Sequence, residues 1–156
     1  EKMPDRRFLG VQGGWGVQKP PELANVTVIP KTPNIRDDVY AKTKILLMPS
    51  QYVGPTEEWN WTESWGMVGV EAMCSGIPVI AHPTPGLLES LSYAGIFIDR
   101  EDINGWVEAI KRLDDPEVYR KHSELALKRA AELDPNPQID RLADLIRERI
   151  WHWTYL

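Results

Sequence analysis

Short apolar runs, separated by turn residues and short helical stretches, occupy the first half of the chain. Each run is four residues long, several are rich in Val and Ile, and they are apolar on both faces. They predict strands at Phe8–Val11, Val26–Ile29, Ile45–Met48, Val79–His82 and Ile96–Asp99. The segments between them predict helices near Asp37–Lys42, Gly66–Ser75 and Leu87–Leu91. Fully apolar strands that alternate with helices are typical of a parallel sheet covered on both faces.

The second half has the period of amphipathic helices. The apolar face of the first helix comprises Ile103, Trp106, Val107, Ile110 and Leu113. Asp115-Pro116 predicts the start of a second helix, and Asp134–Pro137 predicts its end, because proline cannot continue a helix. The apolar stripe of the last helix comprises Ile139, Leu142, Ile146, Ile150 and Trp153. We therefore predict a Rossmann-like, doubly wound α/β fold, with helices on both faces of a parallel sheet and a helical carboxyl-terminal extension over about residues 101–156.

Composition and charge narrow the class of protein. Of the 156 residues, 42% are hydrophobic and 26% are charged, as in ordinary globular chains. The net charge of −5 argues against a non-specific nucleic-acid binder, which would carry a basic excess. No apolar run approaches the roughly 18 residues that a membrane span needs. We expect a cytoplasmic protein with no nucleic-acid partner and no membrane span.

Metal and disulfide chemistry find little support in the sequence. The single cysteine, Cys74, excludes an intramolecular disulfide, and its apolar neighbours predict a small core residue. His82, His122 and His152 are dispersed and lack the spacing of metal ligands. The glycines at 13–16 follow a strand but lack the G-x-G-x-x-G pattern, so a tight turn is favoured over a dinucleotide loop.

The segment from Ser50 to His82 carries the most chemical information, because ligands of such sheets bind at the carboxyl ends of the strands. Within its predicted helix, Glu71 has apolar neighbours on nearly every side: Met67, Val68, Val70, Ala72, Met73 and Cys74. A helix that is apolar all round is a buried one, and an unpaired carboxylate costs several kcal/mol there. We therefore expect Glu71 to be buried and to have a hydrogen-bonding partner.

Glu63 precedes Glu71 by eight residues and lies just before the predicted helix start. If the intervening chain were all helical, its rise would be about 12 Å at ~1.5 Å per residue, comparable with the separation of hexose and ribose across a diphosphate. The helix amino end, with amides near Ser64, Trp65 and Gly66, suits an anion. The spacing predicts a carboxylate for sugar hydroxyls, amides for phosphate and a carboxylate for ribose hydroxyls.

The stretch from Glu63 to Ala81, ESWGMVGVEAMCSGIPVIA, resembles the E-x7-E signature of family-4-type retaining glycosyltransferases of GT-B fold. Supporting matches are Tyr40, Pro49-Ser50, the Pro85-Gly86 turn with Glu89, and the helix from Trp106 to Ile110. The resemblance covers roughly residues 8–113. It implies the carboxyl-terminal, donor-binding domain of an enzyme that transfers a hexose from a nucleotide-sugar to an acceptor.

The resemblance also implies roles for individual residues. Glu63 would be the catalytic-site carboxylate that contacts the donor sugar, and Glu71 would bind the ribose diol. Backbone amides for sugar and diphosphate would come from Ser64, Trp65, Gly66 and Met67. Pro30 and Lys31 would lie near the nucleobase. Further candidates are Ser50, Val68, Pro85 and Gly86.

The donor implied by the resemblance is a UDP-, GDP- or ADP-type nucleotide-sugar, used in a front-face mechanism with no cofactor and no obligatory metal. Family members have an earlier strand and helix in this domain, and the loop after them supplies an Arg and a Lys that clamp the diphosphate. We expect residues 1–156 to lack these elements as well as the amino-terminal acceptor domain, and therefore to be inactive alone. That missing domain would also carry any peripheral contact with a membrane.

Other interpretations stay open at this point. The role of Glu63 could be limited to complementing a helix dipole, and Glu71 could form a structural ion pair with an Arg. Trp59 and Trp61 could line an acceptor groove or belong to a packed surface loop. At the level of function, the alternatives are a non-catalytic nucleotide-sugar-binding module and a sugar-nucleotide epimerase.

Overall fold

A computed structural model describes residues 2–12, 22–52 and 61–153. Its strands are β1 (Phe8–Val11), β2 (Val26–Ile29), β3 (Leu46–Met48), β4 (Gln51–Tyr52), β5 (Trp61–Thr62), β6 (Val79–Ala81) and β7 (Gly95–Phe97). Its helices are α1 (Ile35–Asp38), α2 (Met67–Cys74), α3 (Pro85–Leu91), α4 (Ile103–Arg112), α5 (Pro116–Glu132) and α6 (Asn136–Trp153). Two 3-10 turns lie at Tyr40–Lys42 and Ser92–Ala94. The predicted strands and helices are confirmed, with bounds shifted by a few residues.

The predicted strands form two parallel ladders. In one ladder β1 pairs with β2. In the other, β6 lies between β3 and β7 and pairs in parallel with both. The antiparallel pair of β4 and β5 was not predicted, because two residues in each strand are too few to show an alternating pattern.

The central strand β6 explains why a parallel sheet is apolar on both faces. Val79 and Ala81 join one buried cluster, whereas Ile80, between them, joins another. Successive side chains of a strand point to opposite faces, so β6 contributes to two cores. Helices α2, α3 and α5 supply the first core, and α4 supplies the second with Trp106 and Ile110. Helices on both faces of the sheet confirm the predicted fold class.

The start and the end of α5 follow their predicted signals. The Asp115 carboxylate accepts hydrogen bonds from the backbone N–H groups of Glu117 at 2.8 Å and Val118 at 3.2 Å, and Pro116 is the first helical residue of α5. After α5 ends at Glu132, α6 begins within the proline-containing segment, at Asn136. No helix in the described ranges is both long and apolar enough to cross a membrane.

The expectation that α2 is buried all round is wrong. Gly69, Ala72 and Met73 are buried on one side of this helix. The other side, which comprises Met67, Val68, Glu71 and Cys74, is exposed. Cys74 is therefore not a core residue. The reason is that α3, α5 and the strands β3 and β6 contact α2 on one side only, which its residue types do not indicate.

Candidate functional site

The predicted site residues within the described ranges follow strand ends, and those from Glu63 to Glu71 follow the antiparallel strand β5. Pro30 and Lys31 follow β2 and are exposed, and Ser50 follows β3 and is half-buried. The α2 helix begins after β5, and the Pro85-Gly86 turn follows β6. No hydrogen bond among the described residues joins Pro30 or Lys31 to the other candidates, so their place near a nucleobase stays a prediction.

A tight turn joins Glu63 to the amino end of α2. The Oε1 atom of Glu63 accepts a hydrogen bond from the backbone N–H of Gly66 at 3.0 Å. Gly66 has φ +75°, and a Cβ there would overlap the Leu87 side chain, so this position requires glycine. The helix starts only at Met67, so the span from Glu63 to Glu71 is not all helical. Glu63 thus does complement the helix amino end, while its other carboxylate oxygen has no partner among the described residues.

The amino end of α2 offers backbone donors. The N–H groups of Met67 and Val68 meet no acceptor among the described residues, as is usual in the first turn of a helix. Both side chains are exposed, Met67 by 57% and Val68 by 50%. Ser64 is exposed and Trp65 is half-buried. An anion could therefore approach these amides from solvent, where the helix dipole favours negative charge.

The Pro85-Gly86 turn supports the Glu63 loop from behind. The Thr84 hydroxyl lies 3.5 Å from the Glu63 carbonyl oxygen, and Thr84 also accepts from the backbone N–H of Leu87 at the start of α3. A Cβ on Gly86 would overlap the Ser64 carbonyl and lie 2.8 Å from the Glu63 carbonyl oxygen. Gly86 therefore has a positioning role beneath the loop. The sequence analysis missed Thr84, although a threonine just before Pro-Gly is a helix-start signal.

Glu71 lies on the exposed side of α2, which corrects the expectation that it is buried. Its Oε2 atom accepts a hydrogen bond from the hydroxyl of Tyr40 at 2.7 Å. The predicted hydrogen-bonding partner thus exists, and it is a neutral phenol. The alternative of a structural ion pair with an Arg is absent among the described residues. Burial, followed by the hydrogen bond to Glu71 and its charge, raises the pKa of Tyr40 above its ordinary value.

The ends of β6 and β7 are tied together beside this region. The Nδ1 atom of His82 accepts a hydrogen bond from the backbone N–H of Arg100 at 3.1 Å. The indole N–H of Trp106 donates to the carbonyl oxygen of Asp99 at 2.9 Å. These contacts explain His82 as a structural residue at the sheet edge.

Two of the predicted features, a turn and a tryptophan loop, involve residues that the structure does not describe. The tight turn at residues 13–16 and Trp59 lie outside the described ranges, and the side chain of Trp61 is not described either. Within the part of the chain that the structure describes, no group of three or more His, Cys, Asp or Glu residues could hold a metal ion.

Comparison with known proteins gives consistent matches. The family model of glycosyl transferases group 1 matches residues 22–132. A D-inositol 3-phosphate glycosyltransferase of Corynebacterium kroppenstedtii is 28% identical over 137 residues, covering 77% of this chain and 28% of the relative. The same enzyme of Mycobacterium sp. strain KMS is 30% identical over 129 residues, covering 72% of this chain and 27% of the relative.

A solved structure supports the fold. Sucrose-phosphate synthase from Thermosynechococcus elongatus superposes with a TM-score of 0.61 at 25% identity, over 82% of this chain and 31% of that one. The Rossmann-like arrangement of parallel strands with helices on both sides is common to this neighbour. The chain spans less than a third of the length of each of these proteins.

Proposed function

Since the chain belongs to the group 1 glycosyl transferases, we propose that it is the donor-binding domain of a retaining glycosyltransferase that transfers a hexose from a nucleotide-sugar to an acceptor. The donor is of the UDP-, GDP- or ADP-type, and the acceptor is held by an amino-terminal domain of the same protein. The relatives named above are glycosyltransferases, which supports the reaction class.

The observation that carries this proposal is the placement of two carboxylates, Glu63 just before the amino end of α2 and Glu71 one turn into the helix. Glu63 is bound to the amide of Gly66, and Glu71 is held by Tyr40. The free amides of Met67 and Val68 lie between them in sequence. A carboxylate accepts two hydroxyl donors at once, whereas free amides stabilise the negative charge that develops on a departing diphosphate. The segment from Glu63 to Glu71 therefore offers a partner for the sugar, the diphosphate and the ribose of a nucleotide-sugar.

Two unpaired strand edges support the proposal that an upstream strand completes this domain. Among the described residues, β1 pairs only with β2, and β3 pairs only with β6. One edge of β1 and one edge of β3 therefore have no partner strand among these residues. A groove of about 610 Å³ is lined by Phe8 of β1, Leu47 of β3, and Trp106 and Ile110 of α4. An additional parallel strand in this groove would join both ladders into one sheet and cover apolar surface.

Nucleotide binding tests the Glu71 assignment directly. Calorimetric titration with UDP, GDP and ADP should show weaker binding of the tightest nucleotide to Glu71→Ala, by about tenfold, because a charged hydrogen-bond acceptor is lost. Glu132→Ala is the matched control, since Glu132 also accepts from a tyrosine, Tyr93, at 2.6 Å. Equal affinities of wild type and Glu71→Ala would refute the ribose assignment.

Glu63 is tested by comparing a free nucleotide with its sugar conjugate. Glu63→Gln keeps an oxygen that can accept from Gly66, so α2 keeps its start. If Glu63 contacts the sugar, this variant should lose affinity for UDP-glucose while its affinity for UDP stays unchanged. An unchanged preference for UDP-glucose over UDP would reduce Glu63 to a helix-capping residue.

Activity assays test the division of labour between domains. We expect residues 1–156 alone to transfer no sugar, because the acceptor side of the cleft is contributed by another domain. Turnover of a nucleotide-sugar by this chain with any acceptor would contradict that expectation.

A further inference from the structure

Tyr40 has a fixed ring and a hydroxyl that reaches the exposed side of α2. Its ring belongs to the core cluster with Met48, Ala72 and Met73, and the residue is only 7% exposed. Its hydroxyl lies 2.7 Å from Glu71 Oε2 and 3.4 Å from the Val68 carbonyl oxygen. A hydroxyl has one hydrogen to donate, and the shorter contact to a charged acceptor takes it.

The Glu71 side chain depends on this contact for its orientation. Glu71 is exposed, and the described residues place no cation beside it. A glutamate on the solvent side of a helix otherwise samples several rotamers, and fixing one of them costs conformational entropy when a ligand binds. Tyr40 holds Oε2, while Oε1 has no partner among the described residues. The carboxylate is thus held in one orientation with an oxygen free to accept hydroxyl donors.

We propose that Tyr40 is a positioning residue that orients the Glu71 carboxylate toward the ribose diol, and that it thereby sets the preference for ribose over 2′-deoxyribose in the nucleotide. This inference rests on the proposed function, since it specifies how the same site recognises its nucleotide. Tyr40 stays a donor at neutral pH, because burial and the neighbouring carboxylate raise its pKa.

The test compares ribonucleotides with their 2′-deoxy counterparts. UDP, GDP and ADP, together with dUDP, dGDP and dADP, are titrated into wild type, Tyr40→Phe and Tyr93→Phe. Tyr40→Phe keeps the buried ring and removes only the hydroxyl. Tyr93→Phe is the matched control, because Tyr93 also donates to a carboxylate, that of Glu132, at 2.6 Å. Tyr93 lies before the amino end of β7, whereas the candidate site follows the carboxyl ends of strands.

We expect wild type and Tyr93→Phe to prefer the ribonucleotide equally. In Tyr40→Phe the preference should fall by about tenfold, with a smaller loss of affinity for the deoxynucleotide, because the deoxynucleotide has only one of the two hydroxyl contacts with Glu71 to be weakened. If Tyr40 had only a structural role, Tyr40→Phe would bind the ribonucleotide and the deoxynucleotide more weakly by the same factor, and that result would overturn the inference. So would an unchanged preference. Thermal unfolding of each variant identifies any loss of folded protein.

A double-mutant cycle separates this inference from the proposed function. If Glu71→Ala leaves nucleotide binding intact, the ribose assignment fails and the role of Tyr40 fails with it. If Glu71→Ala weakens binding but Tyr40→Phe leaves the ribose preference unchanged, only the Tyr40 inference is wrong. If Tyr40→Phe lowers the preference equally in the Glu71→Ala background, Tyr40 does not act through Glu71 and the inference is again overturned.

Discussion

Around Glu63, close contacts restrict which residue types the backbone can accept. Gly66 takes a left-handed conformation, and Gly86 lies against the backbone of the Glu63 loop. Both glycines are demanded by close contacts in the folded chain. A different contact joins Tyr40 and Glu71, where a phenol of the core donates a hydrogen bond to an exposed carboxylate.

Gly86→Ala should destabilise the protein. The added methyl group would overlap the Ser64 carbonyl, and overpacking of this kind costs about 1–3 kcal/mol. Gly10→Ala is the control, because a Cβ there would meet Val28 Cγ2 at an ordinary 3.6 Å. Urea denaturation measures both. A wild-type midpoint for Gly86→Ala would show that the loop shifts freely and that Gly86 does not position it.

The stability of the protein should fall in alkali partly through Tyr40. Its pKa is raised above the ordinary 10.0, so the folded state holds the phenolic proton more tightly than the unfolded chain does. This contribution is fully present below about pH 10 and is lost as the pH rises toward the folded pKa. The thermal midpoint of wild type should therefore drop more steeply than that of Tyr40→Phe as the pH rises above about 10. Parallel curves would contradict the raised pKa, since Tyr93 and Tyr119 are present in both proteins.

At the scale of elements, very short strands are held by longer helices. The strands β3, β6 and β7 have three residues each, whereas α5 has 17. Helix α5 contacts α2, and α2 carries the candidate site, so the position of the site depends on how well α5 is formed.

Asp115→Ala should destabilise α5. It removes the acceptor of two backbone N–H groups, and loss of such a cap costs about 1 kcal/mol, with a range of roughly 0.5–2. Asp115→Ser should retain most of the stability, because serine can accept the same bonds. Chemical denaturation of both variants decides the matter. If serine is no better than alanine, the loss comes from the charge of Asp115 and not from capping.

At the scale of the whole molecule, helix α6 has an apolar stripe that no other described residue covers. Ile139, Leu142, Leu145 and Ile146 of α6 are 48–58% exposed. The sequence pattern predicted Ile139, Leu142 and Ile146 on this stripe, but it did not predict that the described chain leaves them open; the side chains of Ile150 and Trp153 lie outside the described residues. An amphipathic face specifies that something is covered, and it does not specify by what.

Leu142→Ala should change the stability of this chain little. Leu142 is 58% exposed, and substitutions at such positions usually stay within about 0.5 kcal/mol. Leu113→Ala is the comparison, because Leu113 is fully buried and such truncations cost about 2–5 kcal/mol. Denaturation curves at two protein concentrations measure the loss of unfolding free energy in each variant. A large, concentration-dependent effect of Leu142→Ala would show that the stripe is covered by a second copy in solution.

The sequence by itself determined the positions of the main strands and helices and the spacing of Glu63 and Glu71. These features are local, because a strand apolar on both faces and an Asp-Pro helix start appear within a few consecutive residues. The short antiparallel pair of β4 and β5 has too few residues to leave such a pattern.

Only the tertiary structure decided which side of α2 is buried, that Tyr40 is the partner of Glu71, and why Gly86 must be a glycine. Each of these depends on residues far apart in sequence, such as Tyr40 and Glu71, or Ser64 and Gly86. A helix made of apolar residues looks the same in sequence whether one side or every side is covered. The choice is made by what packs against it, and for α2 that choice left Glu71 facing solvent.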